Sequence, residues 1–350
     1  MLNNYSIGHH IFIAGFSGFL GGALQASLAG KTDKLYLQNR GGIFIQEKGE
    51  KKPRQISRNP YDKKSLQTAL ADSRTCLNAV GSPSGYGELS PEAVAMSLAG
   101  NLLHTDQLAQ TAAEAGVQMF VSFSSMAVYY QFLSPQVKLA NEDSPLELPT
   151  QLLEMAEAGI ARFRIHQTSE ALVRGNGVFP QSLLENIKST RLAYSLGKYL
   201  AEASVAKWLP PQNRRLLRVA NLYNAGDNGP RIIPSFIRKF AAGQDVVVHL
   251  LSRNFIYWAD FEYLLGRVIS RNEAPVGPIN IFAPGCTVPL PDLAREISSN
   301  FPGSLSRVIL NENISEPEID FASRYPDLYT ANFTSIAEGL KNVMAAQGGE

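Results

Sequence analysis

The sequence has almost no net charge and very little cysteine. Among 350 residues, 32 Lys and Arg stand against 31 Asp and Glu, which gives a formal charge of +1. Without a charge excess the chain lacks the field that holds a nucleic-acid backbone or an anionic membrane surface, so we predict neither as a partner. The two cysteines, Cys76 and Cys286, are too few and too far apart for a disulfide framework or a paired metal site. This usage is typical of a reducing compartment, and we expect a cytoplasmic protein without a metal.

Long apolar runs are also missing. No run reaches the roughly eighteen apolar residues of a membrane-spanning helix. The stretch from Ile11 to Leu24 resembles a signal-peptide core, but it contains four glycines, and the first charged side chain is Lys31, behind it. Hydrophobic residues make up 45% and charged residues 18% of the chain, which is a globular composition with ample material for a core. We therefore expect one large domain with an appended lobe, or two domains.

The order of the apolar runs predicts an α/β fold. Over about the first two hundred residues, short β-rich runs alternate with helical patterns, as in a doubly wound parallel sheet with helices on both faces. The predicted strands are Ile11–Ala14, Lys34–Gln38, Thr75–Ala79, Gln118–Ser124 and Arg215–Val219. The predicted helices are Gly21–Leu28, Ser65–Ala71, Pro91–Ala115 and Leu192–Trp208. After residue 221, frequent Pro and Gly indicate a smaller lobe.

Two segments stand outside this alternation. Glu47–Lys64 carries seven basic and three acidic residues, and we predict a solvated loop there. The segment from about residue 150 to 190 has helical character in Gln151–Ile160 but no place in the strand-helix pattern.

A glycine-rich run follows the first predicted strand and opens the first predicted helix. It reads Gly15-Phe16-Ser17-Gly18-Phe19-Leu20-Gly21. Glycines there permit a tight turn and let backbone N–H groups approach a pyrophosphate at the positive end of the helix dipole. The run favours a dinucleotide-binding turn over a plain strand-to-helix turn, because a strand precedes it and a helix follows it.

Tyr194 and Lys198 are four residues apart on a predicted helix and so share one face. A free tyrosine has a pKa of about 10 and is a poor acid-base catalyst at neutral pH. A neighbouring ammonium and an oxidised nicotinamide would both favour the phenolate and lower that pKa. Alone, such a pair is usually an ordinary helix face.

A third motif, residues 121 to 129 with the sequence VSFSSMAVY, places serines at the carboxyl end of a strand. Together the three motifs resemble the extended short-chain dehydrogenase/reductase family, in its nucleotide-sugar epimerase/dehydratase branch. The resemblance covers nearly the whole chain. Its other elements are Asn101-Leu-Leu-His, Ala115-Gly116-Val117, Arg218-Val-Ala-Asn221-Leu-Tyr223, Arg253-Asn-Phe-Ile-Tyr257-Trp-Ala-Asp260, Gly277-Pro-Ile-Asn280 and Thr334-Ser-Ile-Ala-Glu-Gly339.

The resemblance implies a site. Ser125, Tyr194 and Lys198 would form a catalytic triad supported by Asn101, with Tyr194 moving a proton while hydride passes to or from the nicotinamide. The implied cofactor-binding residues are the seven of the glycine-rich run with Asn39, Arg40, Asn59, Ala79, Val80, Tyr194 and Lys198. The implied substrate-binding residues are Ser125, Met126, Asn221 and Arg253. Asn221 and Arg253 would face a nucleotide diphosphate, although a surface ion pair is the plainer role for Arg253.

The resemblance also implies the domain plan. Residues 1–220 would form an NAD(P)-binding Rossmann domain with an insertion at about 150–190. Residues 221–350 would form mainly a substrate-binding lobe, with some segments returning to the Rossmann domain. Relatives are often dimers through a four-helix interface that would include the Tyr194 helix, so a homodimer is expected.

Departures from the family pattern narrow the chemistry. Where NAD users of the family carry an acidic residue after the second strand, this chain has Gln38-Asn39-Arg40. Loss of the carboxylate removes repulsion toward a 2′-phosphate and Arg40 can pair with one, so NADP is favoured over NAD. Asn59 replaces the aspartate with which many relatives contact adenine.

The positions directly after the catalytic serine exclude two reactions. The 4,6-dehydratases of the family carry an Asp-Glu pair there, and this chain has Met126 and Ala127, which move no protons. Met126 also replaces the cysteine that the 3,5-epimerase/reductases need. What remains is simple carbonyl and hydroxyl redox chemistry.

The 69 positions between Ser125 and Tyr194 are many for this family, which indicates an insertion of about forty residues. Two interpretations of this insertion are equally open. It is either a substrate lid or specificity element, or else an oligomer contact or passive elaboration.

Three functions remain. The leading one is an NADP-dependent reductase of a nucleotide-linked keto sugar, such as a 4-keto-6-deoxyhexose. The second is an NAD-dependent nucleotide-sugar 4-epimerase, and a reductase of non-sugar carbonyls is a variant of the first. The third, of a different class, is a non-catalytic NAD(P)-binding sensor or scaffold.

Overall fold

The computed structural model describes residues 9–81, 89–166, 172, 174–175, 177–227, 229–315 and 318–347. The strands are β1 His10–Ala14, β2 Lys34–Asn39, β3 Gly42–Glu47, β4 Arg54–Ser57, β5 Thr75–Asn78, β6 Met119–Ser125, β7 Leu139–Ala140, β8 Arg214–Val219, β9 Asn221–Tyr223, β10 Val246–Leu250, β11 Ser252–Tyr257, β12 Ile279–Ile281, β13 Thr287–Pro289, β14 Val308–Ser315 and β15 Asp320–Phe321. The helices are α1 Phe19–Leu28, α2 Lys63–Ala71, α3 Pro91–Leu98, α4 His104–Glu114, α5 Ala127–Phe132, α6 Thr150–His166, α7 Gln181–Asn186, α8 Thr190–Trp208, α9 Ile232–Ala241, α10 Trp258–Ile269, α11 Leu290–Ser298 and α12 Ile336–Gln347. The described residues also include a π-helical turn at Ala99–Leu103 and 3₁₀ turns at Pro211–Asn213 and Pro326–Tyr329.

The large sheet has eight strands in the order β12-β8-β6-β5-β1-β2-β3-β4. Neighbouring pairs from β12 to β2 are all parallel, and the predicted doubly wound fold is confirmed. The five predicted strands match the observed ones to within one residue at either end. They form because helices bury both faces of the parallel strands, as at residues 11–14, which have no exposed surface. The chain order reverses at β1, which lies between β2 and β5, and α/β sheets bind ligands at the carboxyl edge beside such a reversal.

The prediction of a solvated loop at Glu47–Lys64 is wrong. A tight turn at Arg40-Gly41 reverses the chain from β2 into β3, and β4 at Arg54–Ser57 then pairs antiparallel with β3. The side chains of β4 are mostly exposed, because it is the last strand of the sheet. An edge strand tolerates charged residues, so its composition resembles that of a loop.

The predicted single helix Pro91–Ala115 is divided in three. A π-helical turn at Ala99–Leu103 joins α3 to α4, and Asn101 lies within it. Such turns are rare and occur frequently at functional sites.

The segment of residues 150–190 builds a second hydrophobic core. Its side chains pack in one cluster with the helices that carry Asn101 and Tyr194; the buried members include Ile160, Phe163, Val178, Phe179 and Leu183 from the segment, and Leu98, Leu102, Leu196 and Leu200 from those helices. Leu196 and Leu200 point away from the side of α8 that carries Lys198. The insertion therefore shares one hydrophobic core with the Tyr194 helix.

An ion pair holds this insertion in place. The Arg164 guanidinium donates to both carboxylate oxygens of Asp106, at 3.0 and 2.6 Å. Asp106 has no exposed surface, and it also accepts hydrogen bonds from Ser204 and, at 2.9 Å, from the Trp208 indole. Three helices, α4, α6 and α8, thus meet at one buried carboxylate.

The C-terminal part carries small sheets of its own, β9 with β11 and β13, and β10 with β14. Its strand β12 pairs with β8 and forms the other edge of the large sheet. Among the helices of the described residues, none is both long enough and apolar enough to span a membrane.

Candidate active site

The glycine-rich turn directly follows β1. Gly15 has a φ of +79°, which favours glycine. A Cβ on Gly15 would lie 2.8 Å from the carbonyl carbon of Ala79 and 2.9 Å from the amide nitrogen of Val80. The Gly15 amide donates to the Gln38 carbonyl oxygen at 2.8 Å. The turn is therefore enclosed by the ends of β2 and β5, and only glycine fits at its first position.

The start of α1 leaves backbone donors for an anion. Phe19 is the first residue of α1, and its N-cap, Gly18, has no side chain to accept from the first N–H groups. Ser17 and Gly18 are exposed, while Phe16, Phe19 and Leu20 are half-buried. A Cβ on Gly21 would lie 2.8 Å from the Cα of Phe16, so the helix starts close against the turn. This arrangement fits a cofactor diphosphate.

Ser125, Tyr194 and Lys198 come together at the carboxyl end of β6. The Ser189 hydroxyl caps α8 by accepting from the Leu192 amide at 3.0 Å, which fixes the start of the helix that carries Tyr194. The Ser125 hydroxyl lies close enough to the Tyr194 hydroxyl to act on its pKa. The Lys198 Nζ lies 5.8 Å from the centre of the Tyr194 ring.

Burial controls the protonation of this group. Lys198 is 7% exposed and donates from Nζ to the Phe123 carbonyl oxygen at 2.9 Å. Burial lowers the pKa of Lys198 to about 8, with the Glu202 carboxylate acting in the opposite direction. Burial raises the pKa of Tyr194, and the Ser125 hydroxyl opposes this shift. The expected lowering of the Tyr194 pKa by Lys198 therefore does not arise from the protein groups, and a lower pKa needs a further positive charge in the site.

Asn101 and Gly81 line the same small space as Lys198. A Cβ on Gly81 would lie 3.1 Å from the Lys198 Nζ and 3.2 Å from the Asn101 Oδ1. The Asn101 Nδ2 donates to the Ser97 carbonyl oxygen at 2.8 Å, which fixes the carboxamide. Sequence reasoning missed Gly81, whose only signal is a glycine shortly after a predicted strand.

A buried ion pair lies one helical turn beyond Lys198. The Arg218 guanidinium donates to both Glu202 oxygens, at 2.9 and 2.7 Å, and the Ser124 hydroxyl donates to Glu202 at 2.5 Å. The Arg218 Cζ lies 4.9 Å from the centre of the Tyr129 ring. These contacts join β6, α8 and β8 beneath the site.

The residues assigned to the adenosine end lie on neighbouring loops. Asn39 is the last residue of β2. Its Oδ1 accepts a hydrogen bond from the Gly41 amide at 2.7 Å and so stabilises the turn. Arg40 is exposed at the tip of the same turn. Asn59 follows β4 and is exposed, and its Oδ1 accepts from the Tyr61 amide at 3.0 Å.

The predicted substrate-binding residues divide into two groups. Asn221 pairs with Phe255 across β9 and β11, and Arg253 lies two residues before Phe255. Arg253 is 9% exposed, and its Cζ lies 4.1 Å from the centre of the Tyr130 ring. It therefore lies almost buried against an aromatic ring, and its role toward a substrate stays a prediction.

Met126 does not join this group. Its side chain is 2% exposed and belongs to the main hydrophobic core, because the turn into α5 directs it inward. Met126 stays a predicted substrate-binding residue, although most of its side chain lies within the core.

The described residues contain no cluster of three or more His, Cys, Asp or Glu side chains arranged to hold a metal ion. Cys76 and Cys286 are both buried free thiols, and burial raises the pKa of each.

A parallel sheet with this strand order, a glycine-rich turn after β1 and a Ser-Tyr-Lys group define a Rossmann-type α/β enzyme. Residues 11–147 match the model of the NAD dependent epimerase/dehydratase family. The match covers 137 of the 350 residues, from β1 to the segment after β7, and it includes the glycine-rich turn, Asn101 and Ser125.

Solved structures share the fold over nearly the whole chain. The enzyme WbmG of Bordetella bronchiseptica, solved with NAD, is 16% identical with a TM-score of 0.68, covering 97% of this chain and 94% of its own. MoeE5, solved with UDP-glucuronic acid and NAD, is 17% identical with a TM-score of 0.68, covering 97% and 99%. The dTDP-4-dehydrorhamnose reductase of Bacillus anthracis, solved with NADP, is 14% identical with a TM-score of 0.64, covering 96% and 99%. No curated protein matches the chain in sequence.

Proposed function

We propose that the protein is an NADP-dependent reductase of a keto sugar linked to a nucleotide. The observation that carries the proposal is the group of Ser125, Tyr194 and Lys198 at the carboxyl end of β6, beside the glycine-rich turn. A dinucleotide bound at that turn would extend toward this group at one end and toward Arg40 at the other.

The chemistry follows from the donors in the site. Bound NADPH supplies a hydride to the carbonyl carbon of the substrate. The Tyr194 hydroxyl donates a proton to the carbonyl oxygen, which becomes the new hydroxyl group. Ser125 donates a hydrogen bond to that oxygen and orients it. Lys198, charged below a pH of about 8, stabilises the phenolate left on Tyr194 and holds the nicotinamide ribose.

The cofactor preference rests on the turn after β2. It presents Arg40 and no carboxylate, so a 2′-phosphate meets a positive charge where a ribose hydroxyl would find no acidic partner. The NADP complex of the dTDP-4-dehydrorhamnose reductase is consistent with this choice.

Arg253 and Asn221 support a nucleotide-linked substrate. A guanidinium that is almost fully buried at the cleft gains most from a doubly charged diphosphate. MoeE5 is one neighbour solved with a nucleotide sugar. A reductase of non-sugar carbonyls would leave Arg253 without this partner.

The second candidate is a nucleotide-sugar 4-epimerase with tightly held NAD. It is favoured by the NAD found in the structures of WbmG and MoeE5. The same Tyr194 would then remove and return a proton, and no cofactor would be consumed.

The first experiment is a fluorescence titration of nucleotide-free protein with NADPH and with NADH. Tighter binding of NADPH supports the reductase, whereas NAD retained through purification supports the epimerase. Turnover of Tyr194→Phe separates an enzyme from a non-catalytic sensor. An enzyme loses most of its turnover and still binds cofactor, and a sensor loses nothing.

A further inference from the structure

Gln38 joins three loops at the carboxyl edge of the large sheet. Its carbonyl oxygen accepts from the amides of Gly15 and Phe16, at 2.8 and 3.3 Å. Its side-chain Nε2 donates to the Pro60 carbonyl oxygen at 2.6 Å. Arg40 follows two residues later. The glycine-rich turn, the Arg40 turn and the loop after β4 are therefore direct neighbours.

The loop after β4 ends in a fixed aromatic ring. The Tyr61 hydroxyl lies 3.0 Å from the His104 Nε2, and the two ring centres are 5.1 Å apart. The backbone of Leu172, in the insertion, also interacts with His104. The insertion thus holds His104, and His104 holds Tyr61.

The electrostatics agree with this arrangement. Burial, aided by Arg40, lowers the pKa of His104 to about 4, so the imidazole is neutral near pH 7. Burial raises the pKa of Tyr61 to about 12, with Arg40 opposing. Arg40 is thus close enough to act on both rings, and it supplies the positive charge beside an uncharged Tyr61–His104 pair.

A dinucleotide whose diphosphate lies at the glycine-rich turn has two ends. The nicotinamide end reaches Tyr194, on the β6 side. The adenosine end must run the other way along the sheet edge, over β2 and toward β4, because β1 lies between β2 and β5. Arg40 and Tyr61 lie on this side, in the loops that follow β2 and β4.

We propose that Tyr61 is a binding residue for the adenine base, and that His104, at the start of α4 beside the insertion, is the residue that positions it. Arg40 favours NADP by binding its 2′-phosphate, and Tyr61 binds the adenine base of NADP and NAD alike. This inference rests on the proposed function, namely that a dinucleotide binds at the glycine-rich turn.

Two nucleotide fragments test the proposal by calorimetric titration: 5′-ADP, and 2′,5′-ADP, which adds the 2′-phosphate. Tyr61→Ala is expected to lower the affinity for both fragments about tenfold, since loss of a stacked base contact costs about that factor. Arg40→Ala is expected to weaken 2′,5′-ADP alone. Arg54→Ala removes an exposed arginine from the same hairpin and is the matched control, with no change for either fragment.

A second set of variants removes the hydrogen bond and keeps the rings. Tyr61→Phe and His104→Phe are each expected to weaken both fragments about fivefold, because the bond fixes the Tyr61 ring. The double variant is expected to lower the affinity for the fragments no more than either single variant, since each single variant already loses the same hydrogen bond. A purely structural role would lower the unfolding temperature and leave the fragment affinities unchanged.

The outcomes are distinct. Unchanged affinity in both Tyr61→Ala and Tyr61→Phe overturns this inference and leaves the proposed function standing. Failure of the unmodified protein to bind 5′-ADP, 2′,5′-ADP and NADPH overturns the proposed function and this inference together.

Discussion

The Arg231 guanidinium carbon lies 3.6 Å from the centre of the Phe19 ring. A residue of the C-terminal part thereby covers the first residue of the glycine-rich helix. Asp227, with its side chain 1% exposed, holds the guanidinium through both carboxylate oxygens. The contact links the C-terminal part directly to the turn where the cofactor diphosphate is proposed to bind.

We therefore predict that Arg231→Ala destabilises the fold by about 2 kcal/mol, because it leaves the Asp227 carboxylate buried without its partner. Adding Asp227→Asn is expected to restore part of the loss. Urea unfolding of the three proteins measures both effects. If the double variant is less stable than Arg231→Ala, the ion-pair explanation is wrong.

Arg253 rests on Tyr130 in the same manner, with 4.1 Å between its Cζ and the ring centre. Arg253→Lys is expected to raise the KM for the nucleotide-linked substrate about tenfold with a smaller change in kcat. A lysine keeps the charge but loses the planar, stacked geometry that meets a diphosphate with two hydrogen bonds. Steady-state kinetics at saturating NADPH measure the two constants, and an unchanged KM would remove Arg253 from the substrate site.

Lys198 predicts a pH dependence of stability. Its pKa is about 8 in the folded protein, and about 10.4 is usual for an unfolded chain. Between these values the unfolded chain binds more protons, so this residue makes the free energy of unfolding rise with pH. Relative to Lys198→Met, the natural protein should gain stability as the pH rises from about 8 to about 10. A pH-independent difference between the two unfolding curves would contradict the lowered pKa.

The insertion bears on the expected homodimer. Leu196 and Leu200 of α8, the helix of the expected dimer interface, are buried in the core that the insertion joins, while Ala203 on the same side of α8 is exposed. We predict that any homodimer uses another face, so Ala203→Arg leaves the molar mass unchanged in size-exclusion chromatography with light scattering. A halved mass in this variant would show that two copies meet on α8.

The sequence identifies the parts of the fold that depend on local pattern. The five parallel strands are apolar runs buried on both faces, and Gly15 needs its positive φ whatever surrounds it. Helix spacing alone places Tyr194 and Lys198 on one face, and the family resemblance adds Ser125 to them.

Other parts depend on contacts between distant residues and give no local signal. The edge strand Arg54–Ser57 has a loop-like composition because water covers most of it. The π turn at Asn101 and the bond between Tyr61 and His104 arise only when α4, the hairpin and the insertion pack together. The sequence predicts a lowered pKa for Tyr194 because it shows the spacing to Lys198 but not the burial of Tyr194. In the structure, burial has the larger effect and raises this pKa.

The central claim is that Tyr194 donates a proton during net reduction of a nucleotide-linked keto sugar by NADPH. The most direct test follows nicotinamide absorbance after a nucleotide-linked 4-keto-6-deoxyhexose is added to the protein with NADPH, with Tyr194→Phe in parallel. We predict that one NADPH is consumed for each hydroxyl formed, and that the variant is slower by about a hundredfold or more while it still binds NADPH. Conversion of a nucleotide sugar to its 4-epimer with retained NAD and no net consumption of NADPH would contradict the account.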